Sequence, residues 1–143
     1  MFMPLYRSDA QAGATAVLPT AAPAAPDTTA RIDDILRRSA LLIAQRGWCQ
    51  GRSLHYVGSP HDPHAASLVG ALTWAATGDA HACHEEIAGL VAHVRTRLDP
   101  ENSAFFDDLE LLWAWNDAPA RTRDQVVALL LSCRHAGTQP VAG

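Results

Sequence analysis

Apolar residues recur at intervals of three and four positions along five stretches of this chain, the spacing that amphipathic α-helices require. The first stretch follows cap-forming residues at 27–29 and stops at Gly47. The second has Asp62 in the cap position and Pro63 in the first turn, and it stops at Gly78. These signals predict two helices separated by a glycine-rich stretch.

Three more helices are predicted in the second half of the chain. Asp79 is placed to cap the third, whose apolar stripe ends near Asp99. The fourth has an apolar stripe that starts with a pair of phenylalanines, Phe105 and Phe106, and it ends within the stretch 111–130. The fifth opens with Thr122 and Gln125, which have the T-x-x-Q spacing of a capping box.

The resulting fold class is all-α, a compact single-domain bundle of about five helices. Residues 54–57 form one short extended stretch between the first two helices. The Ala/Pro-rich segment 1–27 is expected to be a flexible, disordered tail, because it offers no apolar face to bury. The helical domain then covers 28–137, and 138–143 form a C-terminal tail. Gly70, inside the second helix, predicts close approach of another backbone.

Composition excludes several classes of function. The 143 residues carry a net charge of -4, and the 11 basic residues are scattered, which disfavours a nucleic-acid partner. The longest apolar run, 126–131, is too short to span a bilayer, so no membrane association is expected. The 3 cysteines are far apart and odd in number, as is typical of reduced thiols, and the N-terminus lacks the pattern of a secretion signal. We therefore predict a cytoplasmic protein.

The stretch "LLWAWNDAPARTRDQVVALL" permits two interpretations of its Trp-Asn-Asp sequence. Pro119 cannot continue a helix, so the chain must turn there. Asn116 and Asp117 are turn formers, and on one interpretation they only end a helix whose tryptophans are core residues. On the other, polar groups beside an indole form part of a binding site.

Three segments carry a resemblance to a known family: "RGWCQG" at 46–51, "SLVGAL" at 67–72, and the pattern WND-P-RT-x-x-x-V at 115–126. Together they resemble a family of short uncharacterised actinobacterial proteins, catalogued as a domain of unknown function. The resemblance covers roughly residues 30–136 and departs between 51 and 64, where the family has a longer, more polar insert. It implies the helical fold and the boundaries, without an activity.

The resemblance also directs attention to two turns. We expect the turn at 48–51 to approach the turn at 115–117 and to form a ligand-binding site there. Indole rings would supply a wall, and amide and carboxylate groups would supply hydrogen bonds. The residues proposed for this site are Trp48, Gln50, Trp115, Asn116 and Asp117.

Histidines suggest a second kind of chemistry. Two H-x-x-H pairs occur, formed by His61 with His64 and by His81 with His84. Such pairs can share a metal ion, but a helix of about 15 residues, about 22 Å long, is expected to separate them. Cys83 is expected to lie in the core stripe of the third helix. We therefore assign no metal site.

A nucleophilic arrangement of Cys49, His55 and Asp117 is also conceivable from the residue types alone. Cys49 follows a helix C-terminus, where the helix dipole would not lower the pKa of its thiol. Catalytic residues and cofactors accordingly stay unknown.

The sequence therefore favours a small cytoplasmic helical binding or accessory module, with a small molecule or a protein as its partner. Two alternatives stay open. One is a small enzyme, metal-assisted or not, that acts on a small biosynthetic intermediate. The other is a protein–protein interaction module.

Overall fold

The computed structural model describes residues 21–103 and 105–135, with side chains from Thr28 onward. Elements follow in the order α1 (Ala21–Gln45), β1 (Tyr56–Ser59), β2 (Asp62–Ala66), α2 (Leu68–Thr77), a 3₁₀ turn (His84–Ile87), α3 (Ala88–Leu98), α4 (Asp108–Asp117) and α5 (Arg123–Ser132). The protein is therefore mostly helical with a small antiparallel sheet of two strands. The expectation of a purely all-α fold is corrected by this sheet.

Helix α1 begins at Ala21, which makes the predicted cap at 27–29 wrong. Residues 21–27, assigned from the sequence to the tail, continue this helix. The remainder of the predicted tail, including the apolar start of the chain, and the C-terminal segment 138–143 lie outside the described residues. Residues 32–135 belong to one compact unit, and the helical segment 21–31 belongs to another.

A β-hairpin occupies the place where the second helix was predicted to start. Asp62 and Pro63 lie in strand β2, and helix α2 begins five to six residues later with Ser67 as its cap. Tyr56 pairs with Ala66 and Ser59 pairs with Asp62, with a bulge between the two pairs. Most residues of β1 are exposed. The strand therefore lacks the alternation of apolar and polar residues from which a strand is predicted.

The hairpin lies along α2, and its tip reaches the C-terminal end of that helix. Trp74 Nε1 donates to the carbonyl oxygen of His61 over 3.2 Å, and Ala80 N donates to Pro60 O over 2.8 Å. At the other end of α2, a Cβ added to Gly70 would lie 1.8 Å from the carbonyl oxygen of His55. The predicted close approach of a backbone at Gly70 is thus confirmed.

Two other helix starts differ from the sequence prediction. Asp79 accepts a hydrogen bond from the backbone of His81, a local turn that competes with helix capping, and helical structure begins only at His84. The fourth helix is capped by Asp107 in a capping box with Glu110, so the phenylalanines at 105 and 106 precede it and are exposed.

The predicted fifth helix is confirmed at its start, where Thr122 and Gln125 form the expected capping box. The end of α2 is confirmed too, since Gly78 adopts the left-handed conformation with φ of 83°. The core draws fully buried side chains from all five helices: Leu36, Ile43, Leu68, Val69, Leu72, Val94, Leu112, Val126 and Leu130. Within the described part of the chain, no helix has both the length and the apolar character to cross a bilayer.

Candidate functional site

The two turns expected to meet are in direct contact. Trp48 Nε1 donates to Asn116 Oδ1 over 2.8 Å, and Gln50 Nε2 donates to the backbone oxygens of Asn116 and Ala118, both over 3.0 Å. Gly51 N donates to Asp117 Oδ1 over 3.1 Å. We call this set of contacts, between residues 48–51 and 116–118, the turn junction.

Asn116 is the centre of the turn junction. Its side chain is only 2% exposed, and its Oδ1 also accepts a hydrogen bond from Leu68 N, at the start of α2, over 3.0 Å. Its Nδ2 donates to Cys49 O over 3.2 Å and to Asp117 Oδ1 over 2.9 Å. One amide therefore joins α4, α2 and the loop after α1, and its hydrogen-bonding capacity is used within the fold.

Trp115 is covered by a neighbouring side chain. The guanidinium carbon of Arg121 lies 3.8 Å from the centroid of the indole, a cation–π contact, and Arg121 Nε donates to Trp115 O over 2.8 Å. The ring is also packed against the hydrophobic core. Trp115 thus has a place in the packing of the turn after α4.

A cavity of about 550 Å³ opens beside the turn junction. One side is formed by the loop that leads into β1, with Gly51, Arg52, Ser53, Leu54 and His55, and Ser67 also lines the cavity. The opposite side is formed by α4 and the residues before it: Phe106, Glu110, Trp113, Ala114, Asn116 and Asp117. Of the five predicted site residues, Asn116 and Asp117 line this cavity, whereas Trp48, Gln50 and Trp115 do not.

Helix α4 presents one face to the cavity. Glu110, Trp113, Ala114 and Asp117 are spaced i, i+3, i+4 and i+7, so they lie in one row along the helix. An acidic residue stands at each end of the row, about 10 Å apart at 1.5 Å per residue. The small side chain of Ala114 leaves space between them. This face combines an indole with two carboxylates.

Three aromatic rings pack together beside the cavity, and two of them, His55 and Trp113, line it. The rings of His55 and Trp113 are stacked with centroids 5.6 Å apart, and His84 approaches both edge-on, at 5.1 Å from His55 and 5.9 Å from Trp113. Sequence reasoning missed this group, since the three residues come from a loop, a 3₁₀ turn and a helix. Only the α4 row could have been found, because Trp113 shares its helical face with Asp117.

Both histidines of this group have a lowered pKa, which favours the neutral form. Burial lowers the pKa of His55, the neighbouring His84 and His81 lower it further, and Asp117 opposes the change. Burial and His81 lower the pKa of His84. Near neutral pH, the neutral form of both rings is therefore favoured.

Two ring nitrogens in this wall are buried without a hydrogen-bond partner among the described residues: His55 Nδ1 and Trp113 Nε1. Leaving such a group unsatisfied costs about 1–3 kcal/mol, and most buried polar groups in native proteins are satisfied. These two nitrogens therefore keep hydrogen-bonding capacity that the fold does not use, and both atoms are buried rather than open to the cavity.

The proposed nucleophilic arrangement is not favoured by its electrostatics. Burial, followed by the nearby carboxylate of Asp117, raises the pKa of the Cys49 thiol to about 11. At neutral pH this thiol is protonated, and the thiolate is the reactive form. Cys49 contributes to the junction through its backbone, as an acceptor for Asn116 Nδ2.

The H-x-x-H histidines are arranged differently from the sequence expectation. His61 sits at the tip of the hairpin, with its Nδ1 3.1 Å from Gly78 O near the end of α2, so the hairpin brings it back along the helix. His81 packs edge-on against Tyr56, with centroids 6.1 Å apart. Cys83 is exposed, so its predicted place in the core is wrong. Across residues 21–103 and 105–135, no three His, Cys, Asp or Glu side chains are grouped to hold a metal ion.

These features define a small, mostly helical domain with a lined cavity beside a hydrogen-bonded turn junction. Residues 27–136 match the family of unknown function DUF6197, and the chain belongs to that family. This match agrees with the extent of the resemblance inferred from the sequence, about 30–136. No curated protein and no solved structure matches the chain.

Proposed function

We propose that this protein is a small-molecule-binding module whose ligand occupies the cavity between the 51–55 loop and α4. The volume of about 550 Å³ falls within the range of about 300–1,000 Å³ that ligand pockets show. The lining also has the usual composition of such pockets, an apolar and aromatic surface with a few polar groups. The predicted site is thereby moved from the turn junction to the cavity beside it.

The observation that carries this proposal is the pair of unpartnered ring nitrogens, His55 Nδ1 and Trp113 Nε1. Both rings line the cavity, and an indole N–H can only donate. A ligand acceptor placed against α4 would satisfy Trp113 Nε1, once the ring shifts enough to uncover that atom. Binding would then recover part of the free energy that the empty protein loses there.

The turn junction has a supporting role in this proposal. Its hydrogen bonds fix Asp117 at one end of the cavity and hold the loop that carries Arg52 at the rim. Sites of this kind need side chains that are already held in place before the ligand arrives. A cytoplasmic location stays part of the proposal and is supported by free cysteines at 49, 83 and 133.

The test is a panel of small metabolites screened against the full-length protein by thermal shift and tryptophan fluorescence. A compound present at 100 times its dissociation constant should stabilise the protein by about 2.7 kcal/mol. Trp113→Phe should weaken that binding and should remove most of the fluorescence response.

Trp74→Phe is the matched control, because Trp74 is half-buried on α2 and its Nε1 is already bonded to His61 O. It should bind as the wild-type protein does. The proposal fails if no compound shifts the unfolding transition, or if Trp74→Phe and Trp113→Phe weaken binding equally.

A further inference from the structure

We infer that the ligand class is a small zwitterion with adjacent ammonium and carboxylate groups on an apolar body, as in an α-amino acid. This inference rests on the proposed function and adds the chemistry of the ligand to it. Its basis is two charged side chains in the cavity lining that form no ion pair with each other, and the aromatic residues that line the same cavity.

The cation of the cavity is Arg52. Arg52 is the second residue of a tight turn, closed by the hydrogen bond from Leu54 N to Gly51 O over 3.0 Å. It is exposed, and among the described residues no carboxylate lies within ion-pair distance of it. A guanidinium presents paired N–H groups that match the two oxygens of a carboxylate.

The turn that carries Arg52 is conformationally strained. Ser53 has a φ of 65°, a left-handed conformation that is unfavourable for a residue with a Cβ atom. Glycine would adopt it freely. Such strain is found most often at binding and active sites, and here it occurs in the residue that follows Arg52.

The matching anion is Asp117. Its Oδ1 accepts from Gly51 N and from Asn116 Nδ2, which leaves Oδ2 with no hydrogen bond to any described residue. Gly51 immediately precedes Arg52, so the carboxylate lies at the base of the turn that carries the guanidinium. The two groups are neighbours in the cavity lining, yet they form no ion pair with each other.

A ligand with one charge could pair with only one of these two groups. A ligand with adjacent opposite charges can pair its carboxylate with Arg52 and its ammonium with Asp117. The neutral histidines of the wall do not compete for either charge. The α-amino acid class has this arrangement of charges.

The apolar body of the ligand would lie on the aromatic side of the cavity. Phe106 is 51% exposed and Leu54 is 39% exposed, and both line the cavity with Trp113. Covering such apolar surface is favourable. An amino acid with an aromatic or large aliphatic side chain fits these contacts better than a small polar one.

The test compares three probes that share one ring: L-phenylalanine, its amide, which lacks the carboxylate, and 3-phenylpropionate, which lacks the amine. Binding to the full-length protein is measured by titration calorimetry at pH 7.5. Phenylalanine should bind at least about tenfold more tightly than either analogue, since each analogue loses one charge-assisted contact.

Variants assign each charge. Arg52→Gln should remove the preference for phenylalanine over its amide, and Asp117→Asn should remove the preference over 3-phenylpropionate. Glu110→Gln tests the other carboxylate of the cavity, on the same face of α4 about 10 Å from Asp117. Arg123→Gln, an exposed arginine at the start of α5, and Glu101→Gln, an exposed acid outside the cavity lining, are the matched controls. Both should change the affinity for phenylalanine by less than about twofold.

The outcomes separate the two proposals. If all three probes bind equally, the zwitterion assignment is overturned and the cavity is still a binding site. The assignment is also overturned if Glu110→Gln abolishes the preference for phenylalanine over 3-phenylpropionate while Asp117→Asn retains it. If none of the three binds while other metabolites do, with dependence on Trp113, the ligand class is wrong and the binding function holds. If nothing binds at all, the proposed function itself fails.

Discussion

The turn junction and the cavity wall lie side by side, but they differ in whether the ring nitrogens of their aromatic side chains form hydrogen bonds. At the junction, the indole N–H of Trp48 is bonded to Asn116, and that amide is bonded on both its oxygen and its nitrogen. At the wall, Trp113 Nε1 and His55 Nδ1 have no partner among the described residues. The polar groups of the junction are therefore paired within the fold, whereas two ring nitrogens of the wall are not.

The largest expected effect comes from the backbone contact that places His55 in the wall. Gly70→Ala would put a methyl group 1.8 Å from the carbonyl oxygen of His55, so the loop and α2 would have to separate. We expect a loss of at least about 4 kcal/mol in the free energy of unfolding, measured with denaturant.

Gly89→Ala is the control, since nothing lies within 4 Å of a Cβ added there in α3. It should stabilise the protein by about 0.5–1 kcal/mol. Equal stability of the two variants would refute the close approach at Gly70.

The next effect tests whether the junction holds the structure. Asn116→Ala leaves Trp48 Nε1, Leu68 N and Cys49 O without their partner, and should cost about 3 kcal/mol of unfolding free energy. Gln45→Ala, which removes an exposed amide at the end of α1, should change stability by less than about 0.5 kcal/mol. If Asn116→Ala lowered the unfolding free energy no more than Gln45→Ala does, the turn junction would not contribute to stability.

A direct comparison of the two tryptophans follows. Trp48→Phe removes a bonded N–H and should cost about 1–3 kcal/mol, because Asn116 Oδ1 loses a donor in a buried place. Trp113→Phe removes an N–H that is already unpartnered, so it should cost less than about 1 kcal/mol. Both substitutions remove the same atoms, and chemical denaturation of the two variants gives the difference. If the order were reversed, Trp113 would be the structural residue.

The smallest effect concerns pH. His55 and His84 have pKa values below the ordinary 6.5 in the folded protein, so below pH 6.5 the unfolded chain binds protons that the folded protein does not. Their contribution to stability is therefore fully present above pH 6.5 and is lost as the pH falls toward their folded pKa values. Melting temperatures of His55→Gln and His84→Gln, measured from pH 8 to pH 5, should fall less steeply than that of the wild-type protein. Parallel curves would contradict the assignment of these two groups.

Some helix ends were predictable because their signals are local. The capping box at Thr122 and the stop at Gly78 depend on residues a few positions apart. The close approach at Gly70 was predictable from a single glycine inside a helix, although its partner, His55, is distant in the sequence. The hairpin was missed because its strands are short and largely exposed, so burial left no alternating pattern in the sequence. The third helix starts later than predicted, because Asp79 accepts a hydrogen bond from His81 N in a local turn instead of capping a helix.

The candidate site was predictable only in part. The contact between the two turns was anticipated, and Asn116 and Asp117 do line the cavity. The wall formed by His55, His84 and Trp113 depends on contacts between distant parts of the chain, which residue spacing does not encode. The sequence also does not show whether the polar group of a side chain will form hydrogen bonds within the fold, as the two tryptophans at 48 and 113 illustrate.

The hydrogen bonding of Asn116 also bears on how the purified protein ages in storage. Deamidation requires the backbone nitrogen of the next residue to attack the side-chain carbonyl of an asparagine, and the Asn116 amide is held away from that geometry on both ends. The chain has one other asparagine, Asn102, which is exposed. Chemical heterogeneity of a stored sample should therefore arise at Asn102, away from the cavity, and leave the turn junction intact.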